Sequence, residues 1–132
     1  MSEPHFLSVP LVEDLHQESI ARHGGTLGLR DRGGLEAAVG QPLNTFYHGR
    51  GDLFDIAAAY AFHIAEAQAF LDGNKRTAVA AAFSFLEVNG INTRRFSDRR
   101  FYEAMIAVAK KRMTKSDLAQ ILREQSESGS CQ

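Results

Sequence analysis

A short polar segment, Asp72-Gly73-Asn74-Lys75-Arg76, separates the two most apolar stretches of the chain. The residues after it predict a helix that begins near Asn74, and a helix N-terminus presents free backbone N–H groups and a partial positive charge. Gly73 would let that backbone approach a ligand closely. Lys75 and Arg76 oppose the helix dipole at a cost of about 0.3–1 kcal/mol each when exposed, which a bound anion would offset. The segment therefore indicates a phosphate-binding site.

The carboxylate of Asp72 extends this interpretation to a nucleotide. Mg²⁺ typically uses one or two protein carboxylates and keeps several waters, so Asp72 could hold an ion that bridges phosphate oxygens. A second interpretation needs no ligand: Asp72 or Asn74 caps the helix, Gly73 makes a turn, and the basic pair is solvated or ion-paired. Because these residue types are common, the spacing alone favours the second interpretation.

Six helices are predicted around the segment. The first runs from near Pro10 to just before Gly24, with Leu11, Leu15 and Ile20 on its inner side. The others are predicted from capping residues and apolar periodicity: from Asp31 towards Gly40 and Pro42, Leu53 to about Ala69, Asn74 to Val88, Ser97 or Asp98 to Lys110-Lys111-Arg112, and from Thr114 through Leu122.

The fold class that follows is an all-α bundle of about six helices. The helix from Asn74 to Val88 is apolar nearly all round, which predicts that it lies at the centre. At most a short extended pair is expected, at residues 5–8 or 95–96.

Composition limits the classes of function. The 132 residues suit one domain, assigned to residues 1–125, and the Ser/Gly-rich residues 126–132 are expected to be disordered. A net charge of −1 excludes a global field that would draw the chain to nucleic acid or anionic lipid. There is no leader-like or membrane-spanning pattern. The one cysteine, Cys131, excludes an internal disulfide and suggests a reducing compartment, so we expect a cytoplasmic protein.

The segment from Phe70 to Ala78, Phe-Leu-Asp-Gly-Asn-Lys-Arg-Thr-Ala, resembles the signature of the Fic/Doc superfamily and in particular of its death-on-curing branch. Residues 28–33, 57–63 and 85–90 are also similar to that branch, so the resemblance spans roughly residues 6–92. It implies a helical bundle that moves part of a nucleoside triphosphate onto a protein hydroxyl. Fic-type members usually carry glycine at the position of Lys75 and transfer AMP, whereas death-on-curing members carry lysine and act as protein kinases.

The resemblance also implies roles for individual residues and partners. Asp72 would bind the metal, Asn74, Lys75 and Arg76 would bind phosphates together with the amide of Gly73, and Phe70 would anchor the loop in the core. The implied ligands are ATP and Mg²⁺. The implied partners are a cognate antitoxin, as in toxin-antitoxin systems, and a protein substrate such as elongation factor Tu, with no direct nucleic acid and no membrane.

Gln68 departs from the family pattern, because it stands where the family keeps its catalytic histidine. A neutral amide cannot accept a proton near neutral pH, and loss of a general base typically removes about 100- to 10,000-fold in rate. On an ideal helix Glu66 and His63 would lie about 200° and 140° away from Gln68, so neither shares its face.

Three functions stay open at this stage. The first is a death-on-curing-like toxin whose phosphate transfer is weakened or lost through Gln68. The second is a non-catalytic binding module with the same fold, and the third is an AMP-transferring enzyme. As a replacement base, His48 would need its loop to fold over the site, whereas His16 and His23 are expected to be surface groups of the first helix.

Overall fold

The computed structural model describes residues 3–49 and 51–130 of the chain. Six α-helices occur in that part: α1 Val9–His23, α2 Arg32–Tyr47, α3 Leu53–Ala67, α4 Asn74–Val88, α5 Asp98–Ala109 and α6 Lys115–Ser130. In the same residues the extended pairing is limited to an isolated antiparallel bridge between Leu29 and Phe70. The predicted all-α bundle is confirmed, whereas the short extended pairs suggested at residues 5–8 and 95–96 do not form.

Polar side chains begin most of these helices, as the sequence predicted. Each such cap accepts a hydrogen bond from a backbone N–H that has no partner inside the helix. The caps are Ser8 for α1, Asp31 for α2, Asp52 for α3 and Ser97 for α5. Thr114 and Asp117 form the predicted reciprocal pair at the start of α6, with N···O distances of 2.8 and 3.2 Å.

The helix at the centre of the bundle is α3, whereas the sequence favoured α4. Helix α3 contacts α2, α4, α5 and α6, and the whole run from Ile56 to Ala61 is at most 1% exposed. Helix α4 packs on α1, α3 and α5, and its last residue, Val88, is 50% exposed. The alanines in the body of α3 let neighbouring helices approach closely on several sides, which is why this helix is enclosed.

Helices α1 and α2 differ from the sequence predictions. Helix α2 continues through Pro42 to Tyr47, although a proline inside a helix removes one backbone hydrogen bond. Pro42 is buried, and Phe46 packs edge-on against Phe6 with 6.0 Å between the ring centroids, so tertiary packing offsets the lost bond. The buried residues of α1 are Val12, His16 and Ser19; of the predicted inner residues, Leu15 and Ile20 are partly buried, whereas Leu11 is 36% exposed.

The C-terminal helix is longer than composition predicted. Helix α6 reaches Ser130, so residues 126–130 continue a helix where a disordered tail was expected, and residues 131–132 lie outside the described part. Leu118, Ala119 and Leu122 are buried against the bundle, and each further residue can add a helical hydrogen bond to a helix already nucleated by packing. None of the described helices is long and apolar enough to cross a bilayer.

An ion-pair cluster ties α6 to the start of α3. Arg123 donates to Asp52 over 2.9 Å and to Asp55 over 2.8 Å. Burial by itself raises the pKa of Asp52, but the hydrogen bonds from Arg123 and from the Asp55 backbone bring that pKa below its ordinary value. The folded state therefore holds the Asp52 carboxylate in its charged form.

We expect Arg123→Met to lower the free energy of unfolding by about 1 kcal/mol at pH 7. Since the folded-state pKa of Asp52 is lowered, the stabilisation is complete above about pH 5 and is lost as the pH falls through the folded value. Urea titrations at pH 7 and about pH 2.5 measure the difference. Arg22→Met, which removes the exposed Arg22–Glu18 pair, is the control. An equal loss for Arg123→Met at both pH values would contradict the assignment.

Candidate functional site

The polar segment lies on a loop, residues 68–73, that joins the C-terminus of α3 to the N-terminus of α4. A second segment, residues 24–31 between α1 and α2, runs along this loop; we refer to it as the strap. The backbone N–H groups of Arg30 and Asp31 donate to the carbonyl of Ala69 over 2.7 and 3.0 Å, and Leu71 donates to the carbonyl of Gly28 over 3.0 Å. The loop is thus held by backbone hydrogen bonds to a segment about 40 residues earlier.

Gly28 shows why the strap can approach so closely. Its φ is +143°, which favours glycine, and a Cβ atom there would lie 2.6 Å from Cδ1 of Leu71. Any other residue would be strained at this φ and would displace the exposed side chain of Leu71.

The loop is fixed to the core through Phe70. This side chain is 2% exposed and stacks on the imidazole of His16, with ring centroids 3.8 Å apart and an interplanar angle of 8°. The side-chain amide of Asn74 donates to the carbonyl of Phe70 over 3.0 Å and accepts from its N–H over 3.1 Å. The amide of Asn74, assigned to phosphate binding from the sequence, thus makes two hydrogen bonds that close the loop.

His16 is a buried residue and not the surface group that the sequence suggested. It is 3% exposed, and its Nε2 donates to the carbonyl of Asp72 over 2.8 Å. The burial of His16 could not be predicted, because a histidine is not part of the apolar pattern that marks the inner side of a helix. Its two partners, the carbonyl of Asp72 and the ring of Phe70, come from the loop that packs on α1.

Asp72 has a fixed carboxylate at the surface. Its Oδ1 accepts from the N–H of Gly73 over 2.9 Å, and its Oδ2 accepts from the N–H of Thr26 in the strap over 3.2 Å. Each oxygen keeps a further lone pair for a ligand. The described residues contain no group of three or more His, Cys, Asp or Glu side chains that could hold a metal ion. A single oriented carboxylate fits Mg²⁺ that takes its other ligands from phosphates and water.

The first turn of α4 combines backbone N–H groups that have no side-chain cap with two basic side chains. Gly73 is its N-cap with φ +74°, and no side chain caps the helix, so its first amides keep their donors. Lys75 and Arg76 lie in this turn and are partly buried. The guanidinium carbon of Arg76 sits 4.1 Å from the ring centroid of Tyr102 on α5, which holds its charge beside the helix end.

These groups surround one open depression, which we call the loop cleft. It has a volume of about 490 Å³ and is lined by loop and α4 residues together with His23 and Tyr102. The lining includes all six polar or glycine positions chosen from the sequence: Gln68, Asp72, Gly73, Asn74, Lys75 and Arg76. Phe70 lies beneath the loop in the core. The tertiary structure therefore brings the predicted site residues together.

Gln68 ends α3 in a left-handed conformation, with φ 47° and ψ 44°, and its side chain is exposed. Its carbonyl accepts a hydrogen bond from the guanidinium of Arg30 in the strap over 2.5 Å. Because the chain leaves the helix at Gln68, the ideal helical angles used for the sequence do not apply to it. Glu66 and Gln68 both line a second depression of about 450 Å³, the side cleft, which also includes Lys75.

The other histidines considered as a base lie elsewhere. His63 is 3.3 Å from the ammonium of Lys115, and burial followed by that charge lowers its pKa. His48 caps the C-terminus of α2, close to the N-terminus of α3, whereas Gln68 caps the C-terminus of α3. The 15 residues of α3 separate these two ends by about 22 Å. The His48 hypothesis is therefore wrong, because no local loop movement spans α3.

The sequence of this chain is similar to those of known proteins. A model of the Fic/DOC family matches residues 6–86, which is more than half of the 132 residues. The chain belongs to the Fic/DOC family. It is similar to the protein kinase doc of Escherichia phage P1, with 34% identity over 110 residues that cover 83% of this chain and 86% of that protein.

A second Fic/DOC relative is the toxin Doc of Mycolicibacterium smegmatis. The two are 44% identical over 81 residues, which cover 60% of this chain and 62% of that protein. Together the family match and the two relatives show a Doc-like toxin, and the six-helix bundle is consistent with the Fic/DOC fold.

Sequence reasoning missed the residues that come to the loop from distant parts of the chain. These are His16, His23, Thr26, Arg30 and Tyr102. The resemblance of residues 28–33 to the family was one available signal for the strap. His23 and Tyr102 had no such signal, since each sits on a helix whose orientation is set by packing.

We expect Asn74→Ala to destabilise the fold by about 2 kcal/mol, because it leaves both polar groups of the buried Phe70 backbone without their partners. The free energy of unfolding from urea titration measures this loss. Asn44→Ala is the matched control, since Asn44 is exposed and its side chain makes one long contact of 3.4 Å with Gln41. Equal stability of the two variants would show that Asn74 does not hold the loop.

Proposed function

We propose that this chain is the toxin component of a toxin-antitoxin pair. It would bind ATP with Mg²⁺ in the loop cleft and transfer the γ-phosphate to a protein hydroxyl, at a rate reduced by Gln68. The observation that carries the proposal is the loop cleft itself, where uncapped helix amides, Lys75, Arg76 and one oriented carboxylate face the same space.

The residues have separable roles in this proposal. The first-turn amides of α4 and the ammonium of Lys75 bind phosphate oxygens, and Arg76, held against Tyr102, neutralises charge that develops during transfer. Asp72 orients Mg²⁺, which when bound supplies charge neutralisation on the phosphates. Asn74 positions the loop through the Phe70 backbone and does not compete for the ligand.

Lys75 favours phosphate transfer over AMP transfer. Glycine at this position would leave room for a phosphate to pass, whereas a lysine side chain places a cation there and fills space. One relative is named as a protein kinase, which agrees with that choice. The protein substrate that we propose resembles elongation factor Tu, and the proposed partner is a cognate antitoxin.

A non-catalytic binding module is the second candidate, and Gln68 is the observation that favours it. Such a module would keep the fold and the anion site but transfer nothing.

Lys75→Ala should weaken ATP binding by about 10- to 100-fold, because it removes a charge-assisted hydrogen bond to a phosphate. Isothermal titration with Mg·ATP measures the dissociation constant. Lys110→Ala serves as the control, since Lys110 is exposed at the end of α5 and lines neither cleft. An unchanged dissociation constant for Mg·ATP in Lys75→Ala, or no binding of Mg·ATP to the native chain, would contradict the assignment of a phosphate site.

Gln68→His should raise the rate of phosphate transfer, because it places an imidazole at the family's position for the general base. The assay uses elongation factor Tu and ATP labelled at either the α- or the γ-phosphate. Label from the γ position supports a kinase, label from the α position supports AMP transfer, and ATP binding without any transfer in either protein supports the binding module.

A further inference from the structure

We propose that His23 accepts the proton of the target hydroxyl in this chain, in place of the histidine that Gln68 replaces. The inference rests on the proposed phosphate transfer and adds to it a specific base. It also implies that the native chain retains turnover.

One face of α1 runs over the phosphate-binding loop. His16 binds the carbonyl of Asp72, and one turn later Cδ1 of Ile20 lies 3.0 Å from the position that a Cβ atom would take on Gly73. His23 is three residues after Ile20 and seven after His16, so it continues the same face by one further turn. The spacing therefore directs His23 past Gly73, towards the first turn of α4.

The strap confirms how close the end of α1 lies to the site. Gly25, two residues after His23, has φ +121°, and a Cβ atom there would be 2.8 Å from Oδ2 of Asp72. His23 is exposed and lines the loop cleft together with Gln68, Asp72 and Lys75. An imidazole that is solvent-accessible at the edge of this cleft can reach a hydroxyl presented there by a target protein.

The other four histidines of the chain are excluded by their positions. His16 is buried and its Nε2 is engaged with a carbonyl, and His63 lies beside Lys115. His5 pairs with Asn89 at the far end of α4, and His48 is at the far end of α3. Glu66 lines the side cleft but not the loop cleft, so it is the competing base that an experiment must separate from His23.

The proposed step balances without any further reactant than ATP. The hydroxyl oxygen attacks the γ-phosphorus, the bond from that phosphorus to the β,γ-bridging oxygen breaks, and ADP leaves with the bonding electrons. The hydroxyl proton moves to an unprotonated ring nitrogen of His23, which releases it to solvent after the products depart.

Transfer of γ-labelled phosphate from ATP to elongation factor Tu is measured for the native chain, His23→Ala, Glu66→Gln and His48→Gln. We expect His23→Ala to lower kcat by about 100-fold or more with KM for ATP changed less than threefold. Added imidazole should restore part of that rate in His23→Ala only. Glu66→Gln and His48→Gln should retain the native rate, and Gln68→His introduced into His23→Ala should restore transfer.

Each other outcome identifies what is wrong. Loss of ATP affinity in His23→Ala with kcat unchanged would make His23 a phosphate ligand and overturn its role as a base. Transfer by Gln68→His with none by the native chain would overturn the inference and leave the proposed function intact. Loss of transfer in Glu66→Gln, with His23→Ala unaffected, would assign the base to Glu66. No transfer by any protein, Gln68→His included, would reject both the proposed function and the inference.

Discussion

The buried backbone of Phe70 is the point on which the site depends. Its ring stacks on His16 of α1, its N–H and carbonyl are both paired with the side chain of Asn74, and its neighbours bind the strap. Helix α1 and the strap that follows it are thus held at one residue of a loop about 40 residues later in the chain. Because unpaired buried amides are costly, the loop has few alternative conformations in which all these groups stay satisfied.

This constraint leaves the ligand-facing groups free for chemistry. The polar groups that hold the loop are mainly backbone atoms and the amide of Asn74, whereas Lys75, Arg76 and a lone pair on each Asp72 oxygen face the cleft. A preorganised arrangement of charges needs little reorganisation when an anion binds. In our proposal the side chain of Asn74 does not contact the ligand. Its role is to hold the loop through the backbone of Phe70.

The family match concerns the fold and the loop, whereas Gln68 and His23 concern the identity of the proton acceptor. The family match and the similarity to Doc proteins are properties of the fold and of the loop, and they are unaffected by which residue stands at position 68. Proton transfer depends on one side chain and can move to another element if the geometry allows it. In this chain the end of α1 offers an imidazole to the same cleft.

Local sequence signals determined much of this protein. The starts of α3, α4 and α6 could be predicted from Asp52, Gly73 and Thr114, because capping acts within a few residues. The apolar body of α3 is a signal of the same short range. The same short-range chemistry marked residues 72–76 as an anion site. Local rules failed at Pro42, where packing against the bundle outweighs the intrinsic preference for a break, and at residues 126–130, which extend a helix that the buried residues before them nucleate.

What only the tertiary structure decided is how distant elements meet. The strap reaches the loop, α1 places His16 under Phe70 and His23 at the cleft, and α5 brings Tyr102 to Arg76. None of these pairs is close in sequence, and the faces involved are set by how the helices pack against one another, with α1 on α4 and α5 on α4 and α3. The sequence alone therefore predicted the polar loop and its resemblance to the family, and the packing of the helices decided which other residues lie beside that loop.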